Sequence, residues 1–219
     1  MRFTQIMTGI VSLAAVAAVT LAAQAPQGAP GGGAPGQGGP GGPGGGRGGG
    51  RGPQGPPFAL TSSAFADSQP LPAKYGCAAT PVNVSFPLSW ANAPASAVSF
   101  AVVVLDEDVR QARGHLAASH WYIWNIPATA TGLPENVPAL AELPDGSRQT
   151  ISQGRGGAAP MGFRSPCPPA GAPHHYSIEI YALDTKLDAL ASGASLADFW
   201  AAIDGHSLGH AEMVVPFHQ

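Results

Sequence analysis

The sequence predicts a mostly β domain, an antiparallel β-sandwich with short helices appended near its C-terminal end. Three observations predict it. Four stretches read as strands, at residues 98–105, 120–126, 176–183 and 213–217. Helical signals appear only late in the chain. Loops rich in Pro and Gly, such as residues 158–173, separate the elements, and strands punctuated in this way mark a β architecture.

The stretch VSFAVVVL at 98–105 is apolar almost throughout, as expected of a central strand covered on both faces. HWYIWNI at 120–126 is rich in aromatic residues that favour strands. In 176–183, Ile178, Ile180 and Ala182 share one face while Ser177, Glu179 and Tyr181 share the other, the period-two pattern of a half-buried antiparallel strand. Ser195-Leu-Ala-Asp198 fits a capping box, with the Ser hydroxyl receiving the amide three residues on and Asp198 reaching back. It predicts a helix through Phe199, Trp200 and Ile203 that stops near Gly205.

Of 219 residues 44% are hydrophobic and only 11% charged, which excludes a highly charged disordered chain. The 30 Gly and 23 Pro are concentrated: residues 27–57 hold 17 Gly and 7 Pro. Residues 24–57 therefore read as a disordered tether with too little apolar surface to offset chain entropy. Residues 1–23 combine Arg2 with an apolar run from Ile10 to Ala23, the pattern of a secretory signal peptide, with an uncleaved membrane anchor as the alternative. The expectation is an exported protein, periplasmic or secreted, without a transmembrane span in its mature chain. Residues 58–219 are long enough for one domain and carry seven basic against thirteen acidic residues, a net of −6. That balance argues against nucleic acid, which needs clustered Lys and Arg. In an oxidising compartment Cys77 and Cys167 are expected to pair, two separate buried thiols being the alternative.

Three polar clusters stand at strand ends: Asp106-Glu-Asp108; His120 before Trp121; and Ser165-Pro-Cys-Pro-Pro169 followed by His174-His-Tyr176. Each alone has a structural explanation, as a solvated strand end, a hydrogen-bonded core histidine or a rigid loop. Together they offer imidazoles, carboxylates and a phenol that suit an anion, with a carboxylate orienting an imidazole, and equally suit zinc. The paired helical histidines of a zinc hydrolase and a G-x-S-x-G elbow are absent. His206 and His210 are four apart, but Gly205 and Gly209 interrupt the helix they would need, so they read as surface or capping residues.

The order of short motifs from Phe58 to Phe217 resembles the phosphatidylethanolamine-binding protein family, in its bacterial, Raf-kinase-inhibitor-like branch. The motifs are Phe58-Ala-Leu-Thr-Ser-Ser-Ala-Phe65, Tyr75-Gly-Cys77, Pro87-Leu-Ser-Trp90, Asp106-Glu-Asp108, His120-Trp121 with Asn125-Ile-Pro127, Pro166-Cys-Pro-Pro169, His174-His-Tyr176, Tyr181-Ala-Leu-Asp184 and Gly205-His206. The resemblance implies Greek-key connections and a small pocket for phosphate-like anions, phospholipid head groups included. It implies Asp106, His120, His174 and Tyr176 as the ligand-binding residues, with Asp108, Arg164 and Pro166 as further contributors from the pocket loops.

The chain departs from the family pattern in three places. Asp106-Glu-Asp-Val-Arg110 replaces Asp-Pro-Asp-Ala-Pro, Arg164-Ser165 replaces Gly-Gly, and Ala78-Ala79 replaces the Asp-Gly that commonly follows Tyr-x-Cys in bacterial relatives. The lost prolines predict a looser acidic loop. Glu107 should weaken anion binding, while Arg110 and Arg164 should restore it. The expected function is an exported binding protein for a small anionic, phosphate-type ligand, with no catalytic step and no cofactor. Two other classes stay open: an inhibitor or modulator of a protein partner such as a kinase or protease, and a metal-dependent hydrolase.

Overall fold

The structure, a computed structural model, describes residues 55–110, 117–150 and 161–219. The expected signal segment, residues 24–54 of the expected tether and residues 158–160 of the Pro/Gly loop lie outside the described residues. The described chain forms β1 Ala59–Thr61, β2 Leu88–Ala91, β3 Ser99–Arg110, β4 Ala117–Pro127, β5 Gly132–Leu133, β6 Arg148–Gln149, β7 His174–Leu183, α1 Leu196–Ile203 and β8 Ser207–Phe217. One turn of 3-10 helix spans Ala73–Tyr75. A small sheet has the order β1-β2-β5 and a larger one the order β6-β4-β3-β7-β8. Each pairing within them is antiparallel.

The apolar run of β3 is explained by its place inside the larger sheet. Phe100, Val102 and Val104 join Leu60, Leu88, Trp90 and Leu133 of the small sheet in one buried cluster. On the opposite face Ala101, Val103 and Leu105 pack with Tyr122, Trp124, Leu187, Leu196 and Phe199 in a second cluster. Every side chain of that run therefore leaves water, whichever face it points to. The same second layer buries Ser177 on the polar face of β7.

Two predicted strands are longer than their hydrophobic patterns. β3 runs through Asp106-Glu-Asp108 to Arg110, but the residues between Asp106 and Arg110 bulge out of the ladder with β4, where Asp106 faces Ala118 and Arg110 faces Ala117. Glu107 and Arg110 stand where the family pattern has proline and keep their backbone amides, while pairing with β7 ends at Asp106 opposite Tyr176. β8 begins at Ser207, where its polar residues line the outer edge of the sheet and mask the strand period. The small sheet was not predicted, because β1, β2 and β5 span only two to four residues each.

The late helical signal resolves into one α-helix. Ser195 Oγ accepts the Asp198 amide at 3.2 Å and Asp198 Oδ2 accepts the Ser195 amide at 2.9 Å, closing the expected capping box. The chain leaves α1 through Asp204 and then Gly205 at φ +75°, a conformation that glycine adopts without steric cost. Neither His206 nor His210 is helical. His206 Nδ1 meets Asp184 Oδ1 at 2.8 Å, and His210 in β8 meets Glu179 Oε2 at 3.3 Å.

Cys77 and Cys167 form a disulfide with Cα atoms 5.3 Å apart. The loop around it is fastened twice more. The Cys77 amide donates to the Pro166 carbonyl at 2.9 Å, and Asn83 and Ser165 exchange bonds of 2.9 and 3.0 Å.

Candidate functional site

Sheet register assembles the predicted residues at one end of the long strands. Asp106 near the end of β3 lies directly opposite Tyr176 in β7, and His174, two residues earlier in β7, shares the Tyr176 face. On β4 the register slips between the Trp121 and Ser119 pairings, leaving His120 as the extra residue of a bulge. A bulge re-aims a side chain. Here the His120 ring meets the Tyr176 ring edge-on, with centroids 5.1 Å apart.

The polar contacts are specific. Asp106 Oδ2 accepts from His174 Nδ1 at 2.8 Å, and Asp106 Oδ1 accepts the amides of Asp108 and Val109 at 3.1 and 3.3 Å. The Asp106 side chain is 4% exposed and that of His174 is 18% exposed, so His174 forms the accessible rim of the pair. His120 Nδ1 donates to the Arg164 carbonyl at 2.9 Å, and the Arg164 amide donates back to the His120 carbonyl at 2.8 Å. A carbonyl only accepts, so Nδ1 of His120 carries its proton.

Burial and charge then set protonation. Burial holds His120 below the ordinary histidine range, against the opposing pull of the Arg164 carbonyl and the Asp106 carboxylate. Tyr176 is pushed far above the usual phenol range, by burial first and by the charge of Asp106 second. At neutral pH the phenol is thus protonated and able to donate. Its oxygen is fully buried and makes no hydrogen bond of good geometry among the described residues, although the Asp106 carboxylate lies close enough to hold the phenol proton in place.

The remaining predicted contributors divide. Arg164 is partly exposed, and its positive charge reaches both His120 and Tyr176. Pro166 contributes through its carbonyl, which anchors the loop to Cys77. Asp108 accepts both the amide and Nδ1 of His175, at 2.6 and 3.0 Å, and so fixes the strand end beside the site. Those two bonds hold its carboxyl below the usual range. Glu107 accepts from Ser177 Oγ at 2.6 Å, on the face opposite Asp106. Arg110 ends β3, and its side chain lies outside the described residues.

Sequence reading missed the double link between His120 and the Arg164 backbone. No residue type signals such a link, because the peptide groups of any residue at 164 would serve. Among the described residues no three or more His, Cys, Asp or Glu are grouped to hold a metal ion. No helix among them is long and apolar enough to cross a membrane.

Antiparallel sheets with few helices, and a buried carboxylate–imidazole pair beside a phenol at one end of the long strands, define a mostly β protein with a polar site on its sheet. The chain belongs to the phosphatidylethanolamine-binding protein family, whose model matches residues 61–218. It is 43% identical over 155 residues to a UPF0098 protein of Methanothermobacter thermautotrophicus, covering 71% of this chain and 95% of that one. Among solved structures it is similar to a phosphatidylethanolamine-binding protein homologue from Chlamydia trachomatis, with TM-score 0.63, 30% identity and coverage of 74% of this chain and 98% of the other. It is also similar to Escherichia coli YbcL, described as a member of the mammalian family, with TM-score 0.59, 30% identity and the same coverage. These archaeal and bacterial relatives are consistent with the bacterial branch.

Proposed function

We propose that the domain is an exported binding protein that holds a small phosphate-bearing anion between Tyr176, His120, His174 and Arg164, with Asp106 orienting His174. The observation that carries this reading is the Tyr176 hydroxyl, a buried donor that makes no well-formed hydrogen bond among the described residues, with the Asp106 carboxylate beside it. An unmet buried donor carries a desolvation penalty of about 1–3 kcal/mol, which a ligand oxygen would relieve. Arg164 supplies a positive charge, and loops pinned by the disulfide keep the donors in place. A phospholipid head group and a free phosphate compound share the required chemistry. The signal-like first segment would deliver the domain outside the cytoplasm.

Calorimetric titration of the folded protein with inorganic phosphate and with phosphoethanolamine tests the reading. Both should bind saturably, and Tyr176→Phe should weaken them about tenfold to a hundredfold, as expected for one lost bond to a charged group. Failure of the unmodified protein to bind either ligand between pH 5 and pH 8 would overturn it.

A further inference from the structure

Resting on that anion-site reading, we infer that Asn83, which lies outside the ligand-binding set, is a positioning residue for His120: its side-chain oxygen holds the peptide group that fixes the imidazole and its proton. One peptide unit makes both contacts. The Arg164 carbonyl accepts from His120 Nδ1 at 2.9 Å, and the N–H of the same unit, belonging to Ser165, donates to Asn83 Oδ1 at 3.0 Å. A trans peptide group is planar and sends its N–H and C=O in opposite directions. A line of two hydrogen bonds therefore runs from Asn83 through the 164–165 peptide to the imidazole. Bonds linked in this way polarise one another, so an N–H that donates makes its own carbonyl the better acceptor.

Asn83 suits this place. Its backbone lies in the left-handed region at φ +62°, where asparagine is enriched among residues that carry a side chain. Its own amide donates to Ser165 Oγ at 2.9 Å, so the two residues grip each other from both ends. Ser165 is 2% exposed, which keeps water from taking over as the acceptor of its amide. The other backbone bonds of the loop leave that amide alone: the Arg164 amide donates to the His120 carbonyl, and the Pro166 carbonyl accepts from Cys77.

A neutral imidazole carries a single proton, and the acceptor beside the ring decides which nitrogen holds it. Without the Asn83 oxygen the 164–165 peptide is free to turn its plane, and the His120 ring loses the fixed acceptor that keeps its proton on Nδ1. Ring orientation goes with the proton, because one hydrogen bond sets both. Asn83 thus acts on the anion through His120 and the Arg164 loop, without touching the ligand itself.

Ring-nitrogen NMR of the intact, isotope-labelled protein near pH 8, where burial leaves His120 neutral, reads the position of its proton. His120→Gln identifies the signals. In the unmodified protein the proton should sit on Nδ1. Asn83→Gly keeps the left-handed backbone without strain and removes only the side-chain oxygen. It should move a measurable share of the proton to Nε2 and weaken inorganic phosphate in calorimetry about threefold to tenfold, the weight of one ordinary hydrogen bond. Asn83→Asp, which keeps an oxygen facing the Ser165 amide, should return the proton to Nδ1. Ser165→Ala removes the reciprocal hydroxyl but leaves the Ser165 amide on Asn83, so the proton and the phosphate affinity should stay as they are. A contribution to loop stability alone would move Asn83→Gly and Ser165→Ala alike. A proton that stays on Nδ1 in Asn83→Gly, or that shifts as far in Ser165→Ala or in Asn83→Asp, would overturn the assignment and leave the anion site standing. Absence of phosphate binding in the unmodified protein would instead remove the anion site, and the ring nitrogens would still decide the link between Asn83 and His120.

Discussion

His120 and Arg164 are joined twice across 44 residues of chain: the imidazole donates to the Arg164 carbonyl at 2.9 Å while the Arg164 amide donates to the His120 carbonyl at 2.8 Å. The link fixes the tautomer of a buried ring and fastens the 161–167 loop to β4. Sequence, local geometry and protonation therefore meet at one pair of residues.

That pair predicts a pH dependence of stability. In the unfolded chain histidine titrates near about pH 6.5, and in the folded protein burial moves His120 lower. Between those two values the unfolded chain holds more protons, so acidification favours unfolding. The contribution of neutral His120 is fully present above the unfolded pKa and is lost as pH falls through the folded one. His120→Asn, whose amide can keep the bond to Arg164, should flatten this part of the curve. Asp108, Glu135 and Asp198, held low by their partners, lose their share further down and equally in both proteins. Unfolding of the ligand-free proteins in denaturant from pH 7.5 to pH 4.5 reads the difference, and identical slopes would reject it.

Glu107→Gln should leave phosphate affinity unchanged to within about twofold, since its carboxylate faces Ser177 across the sheet and is exposed to screening solvent. A clear gain in affinity on titration of the variant would show that its charge reaches the site.

Replacing both Cys77 and Cys167 with Ala should cost about 2–4 kcal/mol, the usual range for a long closed loop. The bond spans 90 residues and holds the loop that carries Arg164. Phosphate affinity should therefore fall together with stability in denaturant titrations. Thiol labelling of unreduced, denatured protein should find neither cysteine free.

Ser195→Ala should destabilise the protein by about 1 kcal/mol, the typical value for a lost N-cap. Both bonds of the box would go, the one to the Asp198 amide and the one that positions the Asp198 carboxylate. Ligand affinity should stay unchanged, because α1 packs on the far face of the large sheet from the site. Parallel unfolding and titration experiments would expose a failure of either half.

The sequence by itself determined the elements whose signals are local. A nearly continuous apolar run placed β3 in the middle of its sheet, alternation marked β7, and Ser195 with Asp198 announced α1, because each pattern is written in neighbouring residues. The motif order likewise named Asp106, His120, His174 and Tyr176. Only the tertiary structure decided what those residues face. Glu107 and Asp106 are adjacent in sequence, yet one side chain meets Ser177 and the other His174, on opposite sides of the sheet. The two-residue strand β5 exists only because β2 offers it a ladder. The proton on His120 is fixed by a backbone carbonyl, and peptide groups are the same at every position, so no residue type could have announced it.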